Sequence, residues 1–352
     1  MTLPTEPIGS LPRPQALIDG MGAAAAGAIA PERLEALYDD AVTDTLRRFE
    51  ATGSPVVTDG EQRKPSFATY PVAGLALTDG GVTIPFEDGH TRQLPVITTS
   101  PFRYSTYGYE YLDGALGRTT AQLKQAVISA SALSLMYPGA GMDGYPREAF
   151  IEDLVAEAAS EIRGCLDRGA LVQIDFTEAR LSLKLDPSGG LLNAFVDLNN
   201  QVLASLTDAE RTRVGVHTCP GGDQDSTHSA DVDYAELLPS LFRLDVGNFY
   251  IQLASEPDRE HVLGHLAAEA TGTRRIFVGV IDPLDPRVET PEEVRDRILE
   301  AARFIDPSHL GTTDDCGFSP FGDDTSTSRD TAFAKIQARI AGNELASGVL
   351  GV

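Results

Sequence analysis

An α/β fold closed as a single (β/α)8 TIM-type barrel with loop insertions is predicted from three observations. The chain has 352 residues, a length that such barrels reach as one unit when their loops carry insertions. Short β-branched runs alternate with amphipathic helical segments, and parallel strands joined by crossover helices are the arrangement that such alternation builds. No repeat, low-complexity tract or Ser/Gly linker interrupts the pattern, so residues 1–352 are expected to be one domain. A doubly wound open sheet is the alternative that shares the alternation.

In chain order, residues 55–58, 127–129, 171–174, 214–216, 249–253 and 276–281 read as buried strands, being short, β-branched or aromatic runs. Helical spacing of apolar residues marks 31–51, 147–168, 234–244, 259–270 and 291–305. Their ends carry chemical signals. Thr290, Pro291 and Glu293 offer an N-cap, a first-turn proline and a capping-box acid, and Gly169 follows Arg168 as a C-cap. The glycine-rich spots Gly139-Ala140-Gly141 and Gly221-Gly222 do not form G-x-G-x-x-G after a strand, which excludes a dinucleotide fold of that kind.

Composition narrows the partners. With 42% hydrophobic and 23% charged residues the chain is that of an ordinary globular protein. A formal net charge of −24, from 52 acidic and 28 basic residues, disfavours nucleic acid and anionic membrane surfaces. The N-terminus lacks the charged and apolar regions of a secretory leader, and no stretch approaches a bilayer span, so a cytoplasmic location is expected. Three cysteines in such a chain make no disulfide framework and each needs its own reading.

The chemically informative segment is Val214-Gly215-Val216-His217-Thr218-Cys219-Pro220. In extended backbone, residues two apart point to one face, so an imidazole and a thiolate can meet at one point, at the strand end where barrels carry their sites. Cys316 follows the expected last strand, in the segment from Leu310 to Phe318. Two cysteines and a histidine with an open fourth position form the ligand set of a catalytic zinc site. Ordinary buried cysteines at a polar strand end are the competing reading. Cys165 shares a helix face with Phe150, Leu154, Ile162 and Leu166 and reads as core. His261 and His265, one turn apart without an acidic residue of the H-E-x-x-H kind, read as a solvated helix face.

Several segments, spread over nearly the whole chain, resemble the catalytic barrel of cobalamin-independent methionine synthases. Ile8-Gly9-Ser10-Leu11-Pro12-Arg13-Pro14 resembles the family's opening motif, and Asp59-Gly60-Glu61-Gln62-Arg63 its Gly-Glu motif. Gln173-Ile174-Asp175 resembles the central Q-I-D segment; His217-Thr218-Cys219 and Asp315-Cys316-Gly317 are similar to the two zinc-binding segments. The resemblance implies a Zn2+ ion on His217, Cys219 and Cys316. It implies that Ile8, Ser10, Glu61 and Asp175 bind a homocysteine-like thiol, with Asp175 on its ammonium group.

Two departures from the family pattern stand out. Ala254 occupies the aligned place of the fourth zinc ligand, with Glu256 two residues on as a substitute. Leu284 occupies the place of the histidine that serves folate-using members as proton donor, and leucine cannot protonate a leaving nitrogen. The expectation is zinc-dependent methyl or alkyl transfer to a thiol, giving methionine from homocysteine. The donor would be other than unassisted methyl-folate, such as a methylcorrinoid or its carrier protein. Epoxide opening by coenzyme M is the second reading. A porphyrinogen-decarboxylase-like or non-catalytic zinc barrel is the third.

Overall fold

The protein is described by a computed structural model covering residues 2–352. Seven parallel strands form its sheet: β1 (Val56–Val57), β2 (Gln122–Ile128), β3 (Leu171–Asp175), β4 (Val214–Thr218), β5 (Asn248–Ile251), β6 (Arg275–Ile281) and β7 (Leu310–Asp314). They lie side by side in chain order, as right-handed βαβ connections dictate. Residues of β4 and β5 are buried throughout, so both faces of the sheet are covered there.

Eight strands were expected and seven are found. The N-terminal segment runs against both edge strands: Glu6 N–H donates to Thr312 O and Thr312 N–H to Pro4 O on β7, while Leu11 N–H donates to Gly60 O beyond β1. It makes one bridge, Thr5 with Thr312, rather than a ladder. Pro4 and Pro7 on either side of the bridge have no N–H to extend it.

The helix over Pro31–Ala51 has the predicted bounds, and that over Pro291–Ala301 starts at the predicted cap: Glu293 N–H donates to Thr290 Oγ1 at 3.2 Å and Thr290 N–H to Glu293 Oε2 at 2.7 Å. Arg147–Asp167 carries Cys165, which is fully buried in the main core as expected. Gly169 follows with φ 82°, a backbone that glycine adopts without strain. The longest helix, Arg329–Leu350, was not predicted. Buried Lys335 and Arg339 interrupt its apolar face, each held by a carboxylate: Glu289 for Lys335 and Asp314 for Arg339.

The connection from β1 to β2 is the main insertion. It contains two small hairpins, one pairing 77–78 with 96–97 and the other 83–85 with 91–93. Arg92 in the second hairpin donates to Asp223 after β4 and to Asp323 after β7. The insertion is thereby tied over the C-terminal ends of the strands. No helix of the described residues is long and apolar enough to cross a membrane.

Candidate metal centre

The C-terminal strand ends bring the predicted ligands together. In the parallel register Asp175 on β3 pairs with His217 on β4, and His217 with Tyr250 on β5, so the Asp175 and His217 side chains emerge on one side. Cys219 lies just beyond β4 and Cys316 just beyond β7. One ligand atom from each of His217, Cys219 and Cys316 lies within 4.8 Å of the others. The two sulfurs are 3.1 Å apart, both of them free thiols.

The donor set fits a soft divalent cation. Both ring nitrogens of His217 are buried and have no hydrogen-bond partner among the described residues, an arrangement that would cost one to a few kcal/mol, about the price of a buried unpaired polar group. The Cys219 sulfur, and then burial, push the Cys316 thiol well above its ordinary value. A cation shared by these three side chains removes both penalties, since it accepts the imidazole lone pair and stabilises thiolate sulfur.

Glu256 stands apart from this group. Arg180 Nη1 donates to Glu256 Oε1 at 2.7 Å, inside the protein, so the carboxylate already has a cationic partner. Burial, the largest influence, raises Glu256, and Arg180 opposes that rise. The loop that carries Ala254 is instead gripped by Asp315, whose carboxylate accepts from the N–H groups of Leu253 (2.9 Å), Ala254 (2.8 Å) and Ser255 (2.7 Å). Leu284 lines a small neighbouring recess with Cys316.

A second pocket, distinct from that recess, is walled by Ile8, Ser10, Glu61 and Asp175 together with His217, Cys219 and Cys316. Ile8 is buried against Tyr250 and Phe277. Ser10 Oγ accepts from Ser319 N–H at 3.2 Å. Glu61 adopts φ 56°, uncommon for a residue with a side chain, and its N–H donates to Asp59 Oδ1 at 2.8 Å. Asp175 Oδ1 accepts from Gln173 Nε2 at 2.7 Å. Burial pushes Asp175 up to about 6, with His217 opposing and Glu61 adding to the rise. An ammonium group placed between Glu61 and Asp175 would reverse that shift.

Lys64 was missed from sequence. It is fully buried, with Nζ 2.9 Å from Glu61 Oε1 and 2.8 Å from Ala126 O. A lysine in a loop carries no periodic signal; its place three residues after Glu61 was the available clue.

Comparison with known proteins identifies the family and the fold. The family model described as cobalamin-independent synthase, catalytic domain, matches residues 3–332. A methionine synthase of Sulfurisphaera tokodaii is 24% identical over 345 residues, covering 97% of this chain and 92% of the relative. One of Saccharolobus solfataricus is 23% identical over 351 residues, covering 97% and 94%. A B12-independent methionine synthase of a Shewanella species, solved with selenomethionine, superposes with TM-score 0.76 at 19% identity over the full length of both chains. A putative counterpart from Listeria monocytogenes gives TM-score 0.67 at 20% identity, covering 98% and 99%. These two likenesses show the fold. The family's description as cobalamin-independent leaves the expected methylcorrinoid donor without support. With the family model matching nearly the whole chain, the protein belongs to the cobalamin-independent methionine synthase family through its catalytic domain.

Proposed function

We propose that this chain is a zinc-dependent thiol methyltransferase that converts homocysteine to methionine. In this reading it works as one catalytic domain whose N-terminal segment completes an eight-stranded barrel. The carrying observation is a single pocket wall that combines a His/Cys/Cys ligand set with two carboxylates. The names of the relatives, methionine synthases over 97% of this chain, support the same substrate.

His217, Cys219 and Cys316 would hold the ion, and zinc, when bound, supplies the Lewis acidity that keeps a thiol deprotonated near neutral pH. Asp175 and Glu61 hold the amino-acid ammonium, Ser10 offers its hydroxyl to the polar end, and Ile8 gives the apolar wall. Lys64 balances the charge of Glu61, so the pocket does not carry two uncompensated carboxylates. Holding both reactants in line contributes on the order of 7 kcal/mol.

The tail of the thiol decides against coenzyme M. A sulfonate needs a cation in the wall, whereas Lys64 is bonded to Glu61 and does not line the pocket. A purely structural zinc site is closed by four ligands, and here three candidate ligands face a pocket. The test is metal analysis with a thiol-methylation assay using methyl iodide, comparing homocysteine with coenzyme M. We expect about one zinc per chain and a preference for homocysteine. Full activity after the metal is stripped would overturn the proposal.

A further inference from the structure

Only four of the 28 basic residues are lysines, and three of them, Lys64, Lys124 and Lys335, are buried, each against a carboxylate. The pair of Lys335 with Glu289 is closed. Glu289 Oε2 accepts from Lys335 Nζ at 2.8 Å and its Oε1 from Asp282 N–H at 2.9 Å, so both carboxylate oxygens are used inside the protein. The pair of Lys64 with Glu61 is open. Lys64 Nζ donates to Glu61 Oε1, whereas Glu61 Oε2 accepts from no group among the described residues and is not sealed off from solvent. Glu61 lines the thiol pocket and Lys64 does not. A carboxylate with a purely structural duty has both oxygens satisfied inside the protein, so the free oxygen of Glu61 is offered to a ligand.

The lysine has little freedom to move. It also donates to Ala126 O on β2 at 2.8 Å, and the face of the Tyr70 ring lies 4.5 Å from Nζ. Tyr70 is fixed in turn by its OH, which donates to Glu161 Oε1 at 2.7 Å. Arg13 Nη2 donates to Glu61 O at 3.0 Å and to Lys64 O at 2.5 Å, so one guanidinium holds both ends of the turn that carries the carboxylate and the ammonium. Burial alone would lower the Lys64 pKa; Glu61, and after it Asp175, outweigh burial and hold it above its ordinary value. The group is therefore a fixed cation at neutral pH.

Resting on the homocysteine reading above, we propose that Lys64 is a positioning residue that selects thiols bearing an ammonium group: by holding Glu61 Oε1 it aims Oε2 into the pocket, where Glu61 and Asp175 grip the substrate's amino end. Without the lysine the Glu61 carboxylate loses its anchor and is free to turn, and the ammonium loses one of its two partners. A thiol without an amino group never used that partner and loses nothing. Lys64 acts through Glu61 and touches no reacting atom, so it governs discrimination at the amino end and leaves the methyl-transfer step alone.

The experiment compares kcat/KM for homocysteine and for its des-amino analogue, with methyl iodide as donor, in zinc-loaded wild type, Lys64→Met, Glu61→Gln and the double variant. Both thiols are assayed on one preparation, so the fraction of folded enzyme cancels from their ratio. The preference for homocysteine should fall about 10- to 100-fold in Lys64→Met, the scale of one hydrogen bond to a charged group, with zinc content unchanged. Adding Lys64→Met to Glu61→Gln should lower it no further. In the wild type, where folding of the variants plays no part, nitrogen NMR of the four lysine ammonium groups should show the Lys64 signal moving on addition of homocysteine and staying in place with the analogue. Equal loss with both thiols, the same fall in the Glu61→Gln background, or a Lys64 signal indifferent to homocysteine overturns the assignment while a wild-type preference for homocysteine keeps the thiol reading intact. A wild type without that preference removes the reading as well.

Discussion

Replacing Gly317 by alanine should separate substrate binding from metal binding, although Gly317 adjoins a proposed ligand. A Cβ at this position would lie 2.1 Å from Ser10 Oγ but 3.3 Å from Ser10 Cβ and 3.5 Å from its nitrogen. The clash is therefore with the hydroxyl alone, and rotating Ser10 about its side-chain bond relieves it. Rotation takes Oγ away from Ser319 N–H, now 3.2 Å distant, leaving a buried donor unpaired at about 1–3 kcal/mol of stability. It also withdraws the hydroxyl from the pocket. A hydrogen bond to a charged group of the substrate is worth about 1.5–3 kcal/mol, so KM for homocysteine should rise roughly 10- to 150-fold. That contact is made equally in ground and transition states, and kcat should change little. Steady-state kinetics, chemical denaturation and zinc analysis check the three parts. A KM equal to wild type, or a loss of zinc in place of a rise in KM, would refute the route through Ser10.

Cys316→Ser should abolish zinc retention and turnover, whereas Cys165→Ser should keep both and lose about 1–3 kcal/mol of stability, since it buries a hydroxyl in the core; metal analysis of the pair decides. Arg180→Met strands Glu256 as a buried carboxylate and should cost about 3–5 kcal/mol, with recovery in the double variant Arg180→Met/Glu256→Gln; equal denaturation midpoints for the two would count against the pairing. Burial raises Glu161 to about 7, against hydrogen bonds from Tyr70 OH (2.7 Å) and Gly108 N–H (2.5 Å). Because the native pKa lies above the unfolded value near 4.5, its contribution is complete below about 4.5 and is lost as pH rises through 7. The difference is on the order of 3 kcal/mol. Denaturation curves of Glu161→Gln should therefore show a flatter pH profile between those limits, and an unchanged slope would reject the assignment.

The sequence exposed those elements whose side chains follow one simple rule. β4 and β6 each carry an unbroken apolar run, Val214–Val216 and Ile276–Ile281, and stand close to their predicted bounds, whereas β2 begins at Gln122, five residues before the predicted run. Lys124 and Gln125 are buried there and read as polar loop; Lys124 Nζ is bonded to Pro7 O and paired with Glu6, partners remote in sequence. The same concealment hid the helix around Lys335 and Arg339. Within the site, the two-residue spacing of His217 and Cys219 was legible from strand geometry. The approach of Cys316 rested on its place after the expected last strand and on family resemblance, because nothing local in residues 310–318 names its partners. Lys64 was illegible for a further reason: a charged residue in a sequence reads as solvated until burial shows otherwise.

The position of Cys316 explains why this chemistry needs a curved sheet. β5 and β6 lie between β4 and β7 in the strand order. Three strand spacings on a flat sheet would set the ends of β4 and β7 about 14 Å apart, too far for a cysteine and a histidine to share an ion. Yet their ligand atoms lie within 4.8 Å of one another, so the sheet must curl until both strand ends face a common centre. Asp315 reinforces that curl at the rim, tying the end of β7 to three consecutive N–H groups beyond β5. The carboxylate next to Cys316 thus fixes the loop that carries Ala254, and in doing so ties the end of β7 to that of β5, the neighbour of the strand that carries His217. A fourth carboxylate ligand at Ala254 would have to share this loop with Asp315, two negative groups at one buried turn. A three-residue ligand set avoids that repulsion and leaves the remaining position to the incoming thiol.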